Sequence, residues 1–133
     1  MTLPEAYVFD TGKNEWQTFN SWPPETISKK TFQLGKGQRL SQKMTRELSF
    51  QEFISDPRKP VPYSEDIKTV FTPRKYMTDD QRFAARRPDV LVFETEVLEE
   101  DITLAGAIMA NLKVATTGTA ADWIVKVLSL IHI

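Results

Sequence analysis

Cysteine is missing from all 133 residues, which excludes disulfides and thiolate-held metals and leaves no mark of redox compartment. Histidine is almost missing: His132 stands alone, penultimate, in the apolar "LSLIHI". One histidine makes no H-x-x-x-H metal pair, and a terminal one reads as incidental rather than as a general base. Charge of one sign is also lacking. Seventeen basic and 18 acidic residues leave a formal charge of -1, so charge points to neither nucleic acid nor an anionic membrane. No apolar run approaches the roughly 20 residues of a membrane helix. The opening "MTLPEAYVFDTG" has no basic stretch followed by an apolar one, so no signal peptide is read in it, and the chain is expected to be soluble. There is no G-x-S-x-G elbow. Gly35-Lys36-Gly37 is too short for a phosphate loop and lacks the Lys-Ser/Thr that would follow one. No cofactor is expected.

What is present has the composition of strands. Tyr7, Val8 and Phe9, then the turn residues Gly12-Lys13-Asn14, then Trp16, Thr18 and Phe19, predict a hairpin that Pro23-Pro24 ends. "KTFQLGKGQRLSQ" reads as a short strand broken by Gly35 and Gly37, which permit positive φ. Pro57, Pro60 and Pro62 forbid regular structure, and residues 55–88 read as an extended connection with at most a short helix over 78–85. Beyond it, "DVLVFETEVL" is apolar on both faces at its start. Ile108, Ala110, Leu112 and Val114 alternate with Met109, Asn111 and Lys113, and "DWIVKVLSLIHI" follows with Trp123, Val125 and Val127 on one parity. Short strands with Pro and Gly punctuation predict an all-β sandwich.

The densest polar cluster is "YMTDDQRFAARRPDVLVFETE", where Asp79, Asp80, Arg82, Arg86, Arg87 and Asp89 precede a buried-strand run. Phe83, flanked by Arg82 and Ala84-Ala85, is the one aromatic residue from Asp79 to Asp89. So many groups able to form forked hydrogen bonds suit a docking surface or the rim of an active site. Neighbouring carboxylates such as Asp79-Asp80 or Glu99-Glu100-Asp101 point apart on an extended chain and make no acid–base pair. Trp16, Trp22 and Trp123 are candidates for a sugar-stacking platform, although packing in a core or interface is the commoner role. No catalytic, metal or cofactor site emerges.

The segments "AYVFDTGKNEWQTFNSWPP", "FISDPRKPVPY" and "YMTDDQRFAARRPDVLVFETEVLEEDITLAGAIMANLKVATTGTAADWIVKV" resemble the C-terminal domain of the CocE/NonD hydrolases. The resemblance is to the α-amino-acid ester hydrolase and glutaryl-cephalosporin acylase branch. It implies a galactose-binding-like jelly-roll β-sandwich, the X-Pro dipeptidyl-peptidase C-terminal domain, over residues 1–127, with 128–133 as a divergent tail. In similar enzymes this domain follows an α/β-hydrolase catalytic domain with a Ser-Asp-His triad, none of which lies here. That domain is then the expected partner, homo-oligomers of the parent enzyme are compatible with the resemblance, and this chain alone is expected not to be an enzyme. Residues 76–89 are expected to lie against the catalytic domain, with Asp79, Asp80, Arg82, Phe83, Arg86, Arg87 and Asp89 as docking residues and Phe83 as the apolar anchor. Similar domains continue with further strands after "DWIVKV", so the sandwich is expected to be truncated at its C-terminal end. The alternative is a stand-alone carbohydrate-binding β-sandwich, which the same fold supports. Aromatic side chains exposed together on one face favour that alternative, and a large apolar surface around residues 76–93 favours docking.

Overall fold

The computed structural model describes residues 3–44, 46–67 and 74–130. Its regular structure is all-β in class: four strands in two antiparallel hairpins, with one turn of α-helix and two turns of 3₁₀-helix. The chain divides into two units, residues 1–29 with 100–133, and residues 30–99.

In the first unit, β1 (Ala6–Asp10) pairs with β2 (Glu15–Phe19), as the β-branched and aromatic residues of both segments predict. Asp10 builds the turn. Its Oδ1 accepts from the N–H groups of Gly12 and Lys13 at 3.0 and 3.1 Å, and its Oδ2 accepts from Gln17 at 3.1 Å. Asn14 then takes φ 59°, a left-handed conformation that asparagine tolerates better than most residues. The register places Ala6, Val8, Asp10, Gln17 and Phe19 on a half-buried face and Tyr7, Phe9, Trp16 and Thr18 on the exposed one.

The rest of this unit departs from the expected strands. No strand is formed over residues 107–114 or 123–130 among those described. The predicted alternation is absent as well, because both parities are open: Ile108 is 63% exposed and Met109 75%. A strand with period-two apolar residues needs a neighbour to pair with and a layer to bury one face. The short hairpin of this unit supplies neither along that length. Closer packing is found at Gly106, whose φ of 88° and closeness to Pro23 fit a residue without a side chain. Of the tail at 128–133, residues 128–130 carry no regular element, and residues 131–133, with His132, lie outside the described residues.

In the second unit the glycine-broken strand proves to be a hairpin. β3 (Gln33–Gly35) reverses through Lys36–Gln38 into β4 (Arg39–Ser41), with Gly37 at φ 68° and Gln38 at φ 60°. Glu94 bridges to Arg39 in parallel, its carbonyl accepting from Leu40 N–H at 2.7 Å and its N–H donating to Gln38 at 3.0 Å. Val90–Phe93, expected as a strand, is half-buried but forms only this bridge at its end. The long connection stays irregular, as its prolines require. It holds a 3₁₀ turn, Arg74–Met77, and the helical turn α1, Arg82–Ala85.

Ala84 is the one buried hydrophobic residue among those described. The chain exposes 13100 Å².

Candidate functional site

The polar cluster is built around α1. The N–H groups of Ala84 and Ala85 donate to the Gln81 carbonyl at 3.0 and 2.9 Å, and Pro88 discourages helix beyond Arg87. This single turn spaces the three arginines around one centre but gives each a different environment.

Arg82 is spent locally. Its backbone N–H donates to Asp80 Oδ1 at 2.9 Å, and its guanidinium Nε and Nη2 both reach Asp80 Oδ2. That side-chain hydrogen bond, helped by the backbone one and by the field of Arg86, holds the Asp80 carboxyl below its ordinary value and raises Arg82 in turn.

Arg87 is a tie across the connection. Nε and Nη2 grip the two oxygens of Asp89 at 2.8 and 2.6 Å, a forked geometry, and Nη2 also donates to the Lys59 carbonyl at 2.8 Å. The Asp89 side chain is only 13% exposed and that of Arg87 30%. The hydrogen bond from Arg87 outweighs desolvation and lowers the Asp89 carboxyl; the same contact raises Arg87.

Arg86 is exposed and, among the described residues, makes no hydrogen bond or ion pair. With Glu65, Asp80, Arg82 and half-buried Phe83 it lines an open cleft of about 390 Å³. Asp79 does not line that cleft. Its Oδ2 is shielded from solvent without a hydrogen-bond partner among the described residues, while its backbone carbonyl accepts from Gln81 at 2.9 Å.

Glu65 was not legible as a site residue. Ser64 places it: the buried Ser64 Oγ accepts from Asp66 N–H at 3.3 Å, and this turn turns Asp66 onto Lys75 at 2.7 Å. The Asp66 hydrogen bond raises Lys75. Tyr63 and Tyr76 meet edge-on at 6.1 Å alongside. The only sequence signal for this packing was the proline punctuation, which keeps residues 57–66 extended enough to lie beside 74–89.

Two of the tryptophans weighed as a sugar-stacking platform contact other aromatic rings instead. Trp16 stacks on Tyr7 at 4.7 Å and meets Phe9 edge-on at 5.3 Å, while Trp22 meets Phe19 edge-on at 5.4 Å. Tyr7 and Trp16 are nonetheless 61% and 58% exposed, together with Phe9 on one face. Among the described residues no group of acidic and histidine side chains could hold a metal ion, and no helix is long and apolar enough to cross a membrane.

The chain is similar to known proteins along most of its length. The sequence matches, over residues 1–131, the family described as the X-Pro dipeptidyl-peptidase C-terminal non-catalytic domain. It is 28% identical over 137 aligned positions to a cocaine esterase of Rhodococcus sp. (strain MB1 Bresler), covering 96% of this chain and 24% of that protein. The structure superposes on a crystal structure of an aminopeptidase from a marine sediment archaeon, Thaumarchaeota archaeon. The TM-score is 0.62 at 33% identity, over 75% of this chain and 17% of the other. The chain therefore spans less than a quarter of the length of each relative. Matched along almost its whole length, this chain belongs to the X-Pro dipeptidyl-peptidase C-terminal non-catalytic domain family, the C-terminal domain of CocE/NonD-type hydrolases.

Proposed function

We propose that this chain acts as the C-terminal jelly-roll β-sandwich of a serine α/β-hydrolase that cleaves esters or amides, of the α-amino-acid ester hydrolase, acylase or dipeptidyl-peptidase type. Its role is to pack against the catalytic domain and shape it, with residues 1–127 as the sandwich and residues 76–89 on the docking side. The carrying observation is the unburied apolar inventory. With Ala84 as the one buried hydrophobic residue described, the chain has surface to give to a partner that its own packing does not use. The relatives support the identity of that partner, since a cocaine esterase and an aminopeptidase each hold most of their length outside the matched region.

The coding DNA around this sequence tests the reading. An upstream, in-frame α/β-hydrolase region with G-x-S-x-G is expected; an open reading frame without one overturns it. In the full-length protein, Phe83→Ala is expected to loosen the domain interface and lower activity without unfolding the sandwich. Arg82→Ala and Arg87→Ala act in the same direction more weakly.

The exposed Tyr7, Phe9 and Trp16 face favours a second reading, a carbohydrate-binding module. Against it, Trp16 already has one ring face on Tyr7, whereas a sugar platform presents open faces. Tryptophan fluorescence titrated with soluble polysaccharides separates the two: a saturable change lost in Trp16→Ala supports the module.

A further inference from the structure

Within one cleft, the charges of Asp80 and Arg82 are committed to each other, whereas Glu65 and Arg86 form no ion pair among the described residues. Phe83 adds an apolar wall between charges of both signs. Arg87, the other arginine of the cluster, is held by Asp89 and the Lys59 carbonyl and is closed to a newcomer. The docking residues are thus unequal. Only Arg86 among the three arginines retains a full set of free donors for a carboxylate.

We infer that this cleft is the electrostatic socket of the domain interface, and that it receives a segment of the catalytic domain bearing a carboxylate, which binds Arg86, next to a cationic side chain, which binds Glu65. The inference rests on the docking reading above and specifies its chemistry. An occupant of one sign only is disfavoured. A purely acidic segment meets Glu65 and Asp80, and a purely basic one meets Arg82 and Arg86. A dipolar segment satisfies both free charges and leaves the Asp80–Arg82 pair intact. Its aliphatic stems or an apolar neighbour cover Phe83. A volume of about 390 Å³ holds two or three side chains, not a folded element. The socket therefore sets register, while the larger apolar contact supplies affinity.

Hydrogen exchange of residues 61–67 and 80–87 tests this, comparing the 133-residue chain with the full-length hydrolase that carries it. Exchange at both segments is expected to slow in the full-length protein. There, Arg86→Gln and Glu65→Gln are each expected to speed it by about tenfold or more, with the effect fading at high salt. In the chain alone neither substitution should change exchange, because neither side chain has a pair to lose; a change there would assign them an internal structural role and overturn the inference. Arg58→Gln, at a side chain that is 93% exposed and outside the cleft, is the control and should change nothing. Protection in the full-length protein that ignores both substitutions overturns the socket and leaves docking standing. Sensitivity to Arg86 without sensitivity to Glu65 overturns the dipolar occupant. Absence of any protection overturns docking itself, and the socket with it.

Discussion

Arg82, Arg86 and Arg87 carry the same charge in one short stretch, and their surroundings make them three different residues. Arg87 is the structural one, since it grips Asp89 and reaches the Lys59 carbonyl across 28 positions of chain. A lysine has the charge but not the fork, so Arg87→Lys should behave more like Arg87→Ala than like the native protein. Limited trypsin digestion is the check: cleavage after Arg58 should accelerate several-fold in both variants. Unchanged cleavage would mean that the prolines alone hold this segment. The carboxylates set the pH dependence. Asp89 and Asp80 have lowered values in the folded chain, so their contribution is present above the ordinary 3.8 and lost as pH falls through the depressed value. Lys75 has the opposite sense: its contribution is present below 10.5 and lost as pH rises through the raised value. The side-chain Nε–H resonance of Arg87, followed by NMR, should therefore hold steady from neutral pH down to about 4 and move only below it. Asp89→Asn should remove that acid step; its persistence would assign the step to another carboxylate.

At the scale of elements, the first hairpin was legible because its signals are local. β-rich residues flank Gly12-Lys13-Asn14, and the Asp10 carboxylate closes the turn within the same few residues. The second was read as one interrupted strand, although Gly37 at φ 68° turns it into two. Glycine permits a strand break and a reversal alike, and neighbouring residues do not say which. The single helical turn over Arg82–Ala85 was anticipated within 78–85. The strands expected over 107–114 and 123–127 were not found, because their alternation describes what an unpaired segment could bury, not what is there to bury it. The same limit hid Glu65, which reaches the cleft through packing between segments remote in sequence. The β3–β4 turn gives a clean test of a backbone effect. A Cβ on Gly37 would meet nothing within 4 Å, so Gly37→Ala should cost only the left-handed conformation, about 1 kcal/mol. Gly37→Asn should cost less. Gly106→Ala should cost more than Gly37→Ala, because its Cβ would also press on Pro23 at 3.2 Å. Thermal unfolding of the three variants ranks them, and a Gly37→Ala loss equal to that of Gly106→Ala would contradict the steric account.

The whole molecule is defined by what it leaves uncovered. A chain of a family described as non-catalytic should hydrolyse no p-nitrophenyl or amino-acid methyl ester. Turnover that follows the protein through purification would refute this. Its behaviour alone in solution follows from its surface. Ile124 is 83% exposed and Met109 75%, in a stretch without regular structure, while among the described residues β1, β2 and β3 each have one edge that no other strand covers, β4 alone being bridged, by Glu94. Both features favour association, but by different physics. Apolar cover is indifferent to direction, whereas edge pairing needs free backbone N–H and C=O groups in register. The stretch offers far more surface than the five-residue strands, so apolar contact should dominate. Sedimentation velocity across a concentration series should therefore show the isolated chain self-associating. Met109→Lys with Ile124→Lys should shift it strongly towards monomer, because a charge in each patch disfavours burial without touching a hairpin. Thr18→Pro, which removes a backbone donor from β2, should change association much less. If the proline variant is the one that disperses, the edges are the adhesive element. If the native chain stays monomeric throughout, the exposed stretch finds cover within its own molecule, and the need for a catalytic domain to cover it disappears.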